Sequence, residues 1–363
     1  MSIVVIGGTH HNSLGVIRAL GERQYNVEFI NFSCTSKDYI KASKYISHYK
    51  ALPNIELLKD FLLSRKKTEA KEVIISCADV VTEYLNIHLN DLKENYYIPG
   101  VPLEGKMVEL MDKTTMIKMV GKQGIVAPFI WNLPEQRSLV ELPCITKVHV
   151  SSHGGKSDII ICKTQEELND FLKKNTDNIF AQAFINKKEE VQFIGCALND
   201  GKQVIIPGMS KVLRSQPNTN TGFLEYGPID PFYNDTVERA KQYIKDCEYS
   251  GLFSFEIMRG HDDRIWFLEI NFRNDGNAWC TTKAGINLPL IWVKACLGED
   301  YTNEIHTPKK ILMMPEFQDF KLVLQRKISL LQWFKDWKRT DYFMEYDKKD
   351  QKPFWQYIKD KIF

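Results

Sequence analysis

Two glutamates and an asparagine near residue 260 offer the clearest chemistry in this chain. Phe253-Ser254-Phe255-Glu256-Ile257-Met258 and Ile265-Trp266-Phe267-Leu268-Glu269-Ile270-Asn271 are apolar runs separated by a polar turn, Arg259 to Arg264. Such a pair reads as a β-hairpin. Side chains alternate along a strand, so Glu269 and Asn271 share one face. Folding the hairpin about its turn sets Glu256 beside Glu269. Two carboxylates and an amide oxygen then converge amid apolar residues, where like charges repel unless a cation intervenes. Magnesium suits that donor set, because it takes few protein oxygens and completes its shell with water and phosphate. The competing explanation is plain strand alternation, with three polar groups facing solvent.

Cationic side chains upstream could meet such an anion. Lys147 lies inside the apolar strand Ile145 to Val150, where a lysine needs an anionic partner or an open cleft. Ser151-Ser152-His153-Gly154-Gly155-Lys156 follows directly, and backbone N–H groups of such a loop can surround an anion. A Gly-Gly pair also serves ordinary hairpin turns. Lys113, beside Asp112, would by itself read as a surface lysine.

The elements that must position these groups alternate in character. Ser2 to Ile6 is a short apolar run ending at Gly7-Gly8, followed by a helical stretch with Leu14, Ile17, Arg18 and Leu20, and then by Val27 to Phe32. Strand, glycine turn, helix, strand is the opening of a doubly wound α/β domain. Val73 to Ser76 is another buried strand, and Tyr97 to Gly100 a closing edge, so a first domain is expected at 1–100. Val108 to Gly124 reads as one helix. Strands at Cys144 to Val148, Asp158 to Cys162 and Ile179 to Gln182 build a small α+β module over 101–187, with Thr164-Gln165-Glu166-Glu167 opening a helix as a capping box. Val191 to Leu198, Val204 to Ile206 and the hairpin form a larger antiparallel sheet over 188–305. The remainder, 306–363, is an aromatic and basic extension in which Leu330 to Phe334 has helical spacing.

Composition limits the alternatives. The 363 residues exceed one ordinary core, and 44% hydrophobic with 26% charged residues is normal for a soluble globular chain. A formal charge of +2 excludes strong global attraction to nucleic acid or acidic membranes, though not a local basic patch. No apolar run is long enough to span a bilayer. The start lacks a signal-peptide pattern, and the eight scattered cysteines, none in CxxC spacing, suit a reducing cytoplasm.

Phe255-Glu256-Ile257 and Leu268-Glu269-Ile270-Asn271-Phe272-Arg273 closely resemble the metal-binding hairpin of the ATP-grasp superfamily. The resemblance implies a Rossmann-like N-terminal domain followed by an ATP-grasp fold, a small α+β lid plus a larger antiparallel-sheet domain. It implies that Glu256, Glu269 and Asn271 hold Mg2+, or Mn2+ in its place, on ATP, and that Arg273 contacts the transferring phosphate or reacting carboxylate. Phe272 departs from the small residue common there. By the same likeness Lys113 and Lys147 reach ATP phosphates, and Ser152, His153, Gly154 and Gly155 close over them. Ile179 to Ile185 matches the hinge strand. Gln182, Ala183, Phe184 and Ile185 would then border adenine, through the backbone of Ala183 and Ile185 in particular. Glu190 resembles the ribose-binding glutamate, with Glu189 as competitor. Lys211 and Arg214, in a polar loop after Val204 to Ile206, would face the γ-phosphate or acyl-phosphate.

Gly7, Gly8, Ser13 and Leu14 to Arg18 resemble the first domain of D-aspartate ligase-like carboxylate–amine ligases, as does the tail from Tyr346-Asp347 to Phe354. His10 and His11 either face substrate or lie in a solvated loop. The implied activity is ATP-dependent joining of a carboxylate to an amine through an acyl-phosphate, in the cytoplasm, with small-molecule substrates, no nucleic-acid partner and a homodimer as a common state. Closure of the lid and of the Ser151 to Lys156 loop would exclude water. One alternative is a non-catalytic ATP-binding sensor or scaffold, whose mark would be loss of metal ligands. Another is an NAD-dependent oxidoreductase, which lacks support because Gly-x-Gly-x-x-Gly is absent.

Overall fold

The computed structural model describes residues 2–32, 37–66, 70–148, 160–174, 179–215 and 221–362. Its strands fall into three sheets that succeed one another along the chain. β1 (Ile3–Gly7), β2 (Val27–Asn31), β3 (Ile46–Ala51), β4 (Glu72–Ser76) and β5 (Tyr96–Tyr97) form a parallel sheet in the order β3-β2-β1-β4-β5. β1, β2 and β4 are buried throughout and are mainly apolar, whereas the polar, largely exposed β3 carries no such signal. Helix His11–Gly21 crosses between β1 and β2. At the turn, a side chain on Gly7 would run into Ser13 Oγ and Cys77. The closing strand is shorter than expected, because Gly100 leaves it to form an isolated bridge with Ser250.

β6 (Ile130–Leu133), β7 (Cys144–Val148), β8 (Ile160–Cys162) and β9 (Ile179–Ala183) make a small antiparallel sheet in the order β6-β9-β7-β8. Leu168 and Phe171 of helix Gln165–Lys174 cover it. The capping box at its start is reciprocal. Glu167 N–H donates to Thr164 Oγ1 at 3.2 Å, and Thr164 N–H donates to the Glu167 carboxylate at 3.1 Å.

The third sheet comprises β10 (Lys187–Leu198), β11 (Gln203–Ile205), β12 (Met209–Ser215), β13 (Gly222–Gly227), β14 (Gly251–Gly260), β15 (Ile265–Asn271), β16 (Ile311–Met314) and β17 (Tyr342–Phe343). Its main order is β15-β14-β10-β12-β13-β16-β17, with β11 on β10. The segment expected as an extension after residue 306 therefore supplies two of its strands. One face, carrying Val191, Phe193, Phe253, Phe255 and Ile257, packs on Val237, Ala240 and Tyr243 of helix Asn234–Asp246. The other face is polar at one end and forms the site.

The helix expected from Val108 to Gly124 is two helices, Lys106–Leu110 and Lys113–Lys122. Asp112 separates them because its extended backbone lets Oδ1 accept the Thr115 N–H at 2.9 Å, an N-cap. Gly124, at φ +71°, ends the second helix in a conformation that glycine adopts without a steric penalty. Both helices pack in the core of the third sheet rather than with the small one. The expected tail helix is Leu330–Arg339, seated by Trp333 edge-on against Phe320. Among the described residues no helix is long and apolar enough to cross a membrane.

Candidate active site

The hairpin folds as its alternation requires. β14 pairs with β15 in a register that opposes Glu256 to Glu269 and Ser254 to Asn271, with a bulge just beyond Glu256. On the other side of β14, Glu256 opposes Gln192 and Met258 opposes Glu190. Cross-strand partners point to the same face, so Glu190, Gln192, Ser254, Glu256, Glu269 and Asn271 share one surface. Phe253, Phe255 and Ile257 take the intervening positions and fill the core behind it.

Glu256 is 1% exposed. Its Oε1 accepts from Gln192 Nε2 and from Asn271 Nδ2, both at 3.0 Å. Gln192 is itself held by Asn277 Nδ2, which donates to its Oε1 at 2.6 Å. Burial, then the charges of Glu269, Asp275 and Glu190, push the Glu256 carboxyl well above the usual carboxylate range. A cation between Glu256 and Glu269 would reverse that penalty. Among the described residues no three His, Cys, Asp or Glu side chains converge into a metal cage. Two carboxylates and an amide would be an open donor set, one that suits a small hard ion whose remaining ligands are phosphate and water.

Arg273 follows directly. Its guanidinium donates to Asn271 Oδ1 at 3.0 Å, to Asp275 Oδ2 at 2.9 Å and to Asp79 Oδ2 at 3.2 Å. Burial opposes the charge, but Asp79 and Asp275 more than offset it. Asp79 opens helix Asp79–Ile87 of the first domain. The chain beyond the hairpin is stitched to that domain at several points. Asn274 N–H donates to Ser76 O at 3.0 Å, Thr82 Oγ1 to Phe272 O at 2.8 Å, and Asn12 Nδ2 to Asn274 O at 2.6 Å. The sequence reading missed Asp79, Gln192 and Asp275. Its only available signals were the polar run Asn274-Asp275-Gly276-Asn277 and the lone Gln192 among apolar neighbours.

A cleft between the small and large sheets is lined by Lys113, Met116, Ile117, Phe180, Gln182, Phe267 and Leu268. Lys113 begins its helix and holds Nζ 5.6 Å from the centre of the Phe180 ring. Lys147 stands on β7 opposite Phe180 in the register, with only its backbone described. Ser152, His153, Gly154 and Gly155 lie outside the described residues. At the hinge, Ala183 N–H donates to Phe129 O at 2.8 Å and Phe184 N–H to Pro143 O at 3.2 Å, so those two donors are engaged within the protein. Ile185, beyond the end of β9, makes no backbone hydrogen bond among the described residues.

Glu189 and Glu190 separate cleanly. Glu189 points to the back of the sheet, where Tyr233 OH donates to it at 2.6 Å, Arg259 at 3.0 Å and Lys211 lies at 3.1 Å. Glu190 is buried on the Glu256 face, paired through Oε2 with Lys187, and its Oε1 meets no hydrogen-bond partner among the described residues. Lys211 and Arg214 are corrected. Both lie on β12 rather than in a loop. Lys211 opposes Val191 and so faces away from the carboxylates. Arg214 is held by Asp319 and Asp336 of the tail at 2.8 and 2.6 Å. His10 caps helix His11–Gly21, accepting the Asn12 N–H at 3.2 Å, and His11 is buried 3.4 Å from Glu345.

A parallel first sheet, a small antiparallel sheet and a larger one whose hairpin faces the cleft between them define an ATP-grasp fold. Residues 232–320 match a family model described as ATP-grasp in the biosynthetic pathway with Ter operon. N5-carboxyaminoimidazole synthetase from Staphylococcus aureus complexed with ADP superposes with a TM-score of 0.68 at 16% identity, covering 90% of this chain and 85% of that one. The biotin carboxylase domain of 2-oxoglutarate carboxylase from Hydrogenobacter thermophilus, in complex with MgADP, ADP and bicarbonate, gives 0.66 at 15% identity, over 85% and 73% of the two chains. L-amino acid ligase from Bacillus licheniformis gives 0.65 at 14% identity, over 86% and 78%. Comparison of the sequence with curated proteins gives no match.

Proposed function

We propose that the protein is an ATP-dependent ligase that joins a carboxylate to an amine through an acyl-phosphate. The observation that carries this reading is the pairing of buried Glu256 with Glu269 across the hairpin, beside Asn271, on the strand β15 whose Phe267 and Leu268 line the cleft. Those three residues would hold magnesium, which when bound supplies charge neutralisation to the triphosphate. Lys113 lines the cleft, Arg273 lies beside Asn271, and Lys147 precedes Gly154-Gly155 in the sequence. Such transfer needs positioning and electrostatics rather than a protein nucleophile. The substrate carboxylate attacks the γ-phosphorus and the bond to ADP breaks. The amine then attacks the acyl carbon, releasing phosphate as its nitrogen gives up a proton.

The names of three structures with this fold support the reading: a biotin carboxylase domain, an N5-carboxyaminoimidazole synthetase and an L-amino acid ligase. Glu190, on the Glu256 face and with one buried oxygen that meets no hydrogen-bond partner among the described residues, is assigned to the ribose hydroxyls in preference to Glu189. Ile185 supplies the backbone edge for adenine. Small-molecule substrates and a dependence on ATP suit a cytoplasmic setting. The test is an amino-acid and carboxylic-acid library screened for magnesium-dependent ADP release, with mass spectrometry of the products. An amide product with stoichiometric ADP is expected. Nucleotide binding without turnover on any pair would overturn the ligase assignment in favour of an ATP-binding sensor.

A further inference from the structure

The helical hairpin of Glu316–Leu324 and Leu330–Arg339 stands apart from the site and presents an outer face that the fold does not cover. The second helix is fixed from below. Ser329 caps it, accepting the Gln332 N–H at 3.1 Å, Trp333 lies on Phe320, and Asp336 is bound by Arg214 at 2.6 Å. With that side anchored, Leu330, Leu331, Phe334 and Trp337 point outward, 59%, 67%, 45% and 40% exposed, and Leu324 at the hairpin tip is 71% exposed. Their spacing puts them on one stripe of the helix. Single exposed hydrophobics need no explanation, but five large ones on one short hairpin do.

Cations border the stripe. Arg326, Lys327, Lys335 and Lys338 are all exposed, and Lys338 Nζ lies 5.0 Å from the centre of the Phe334 ring. From Lys321 to Thr340 six basic residues face a single acid, Asp336, which is buried and already neutralised by Arg214. The molecule's charge of +2 conceals this concentration.

We propose that this hairpin is a docking surface for an anionic lipid bilayer. Leucine, phenylalanine and tryptophan on one stripe, edged by lysine and arginine, describe a helix that lies in the interfacial plane, with apolar side chains among the acyl chains and cations among the headgroups. Each cation near an anionic surface adds to that attraction. A second copy of the chain fits less well, because two such faces would bring lysines against lysines. A nucleic acid would use the cations but leave Leu330 and Leu331 without a stacking partner. The surface is independent of the ligase assignment, since none of these side chains lines the cleft.

The test is sedimentation of the full chain with vesicles of phosphatidylcholine alone and of phosphatidylcholine mixed with phosphatidylglycerol. Binding is expected on the anionic vesicles, at least about tenfold weaker on the neutral ones, and reduced by salt. Leu331→Glu combined with Phe334→Glu should lower the anionic partition at least about tenfold while leaving ADP formation in solution unchanged. Lys335→Glu with Lys338→Glu, on the same face, provides a second variant. No binding to anionic vesicles, or binding by both variants as strong as that of the wild type, would overturn the proposal. So would a dimer seen by sedimentation velocity, or retention on nucleic acid, that these variants abolish without any vesicle binding.

Discussion

Arg18 and Asp350, 332 positions apart, form a fully buried ion pair at 3.1 Å. Arg18 also donates to the carbonyls of Met344, Glu345 and Asp350 at 3.2, 2.8 and 2.9 Å. Asp350 in turn accepts from Ser43 Oγ at 2.7 Å and from Lys44 N–H at 3.1 Å. The first helix and the tail are thus one structural unit, and the two segments that separately resembled one ligase branch meet at this pair.

Removing one member leaves a buried charge without its counterpart, which costs about 3–5 kcal/mol. Asp350→Ala is therefore expected to lower stability by that amount in urea titration and to expose the tail to protease. Replacement of both residues by leucine should cost less than either single change. Equal losses in all three would show that the pairing contributes nothing specific.

Glu256 presents the opposite case, a carboxylate the fold disfavours in its charged form. An acid with a raised folded pKa stabilises only while protonated, and that contribution is lost as pH rises through the folded value. Glu256→Gln keeps the oxygen that Gln192 and Asn271 donate to and removes the charge. The nucleotide-free variant should melt several degrees higher at neutral pH, by roughly 1–2 kcal/mol, yet form ADP at least about a hundredfold more slowly. A lower melting temperature would contradict the electrostatic account.

Glu189 and Glu190 allow a paired comparison. Glu190→Gln should raise the KM for ATP by about tenfold, the loss of one charged hydrogen bond, with little change in melting. Glu189→Gln, which weakens the contacts to Tyr233, Arg259 and Lys211, should lower stability and leave KM for ATP near wild type. Steady-state kinetics with calorimetry separates the two outcomes.

The tail holds a second acidic pair. Burial, then Glu345, push the Glu316 carboxyl well up, and burial raises Glu345 as well. Glu316 accepts the N–H groups of Met344, Glu345 and Tyr346, so its shape is needed. Because both folded values are raised, their contribution is full below the usual carboxylate range and declines as pH rises. Glu345→Gln should therefore gain melting temperature over wild type increasingly from pH 5 to pH 9. A constant difference across that range would remove the pair from the pH response.

The hairpin, the parallel opening and the capping box at Thr164 were legible because each is a local pattern with one geometric solution. Glu256 meets Glu269 through strand alternation alone. Asp79 was not legible, since its approach to Arg273 depends on two domains docking. Lys211 failed for a related reason. A basic residue after a strand reads as loop, but β13 and β16 extend the sheet and turn Lys211 to its far face. Cys144 and Cys162 sit directly opposite on β7 and β8, a neighbourhood hidden by their separation in sequence.

Magnesium-dependent ATP binding tests the central claim most directly. Titration calorimetry of ATP, with and without Mg2+, should give tighter binding with the ion in the wild type, and Glu269→Ala should lose that enhancement while melting as a folded protein. An undiminished magnesium effect in Glu269→Ala would contradict the metal site and the ligase chemistry built on it.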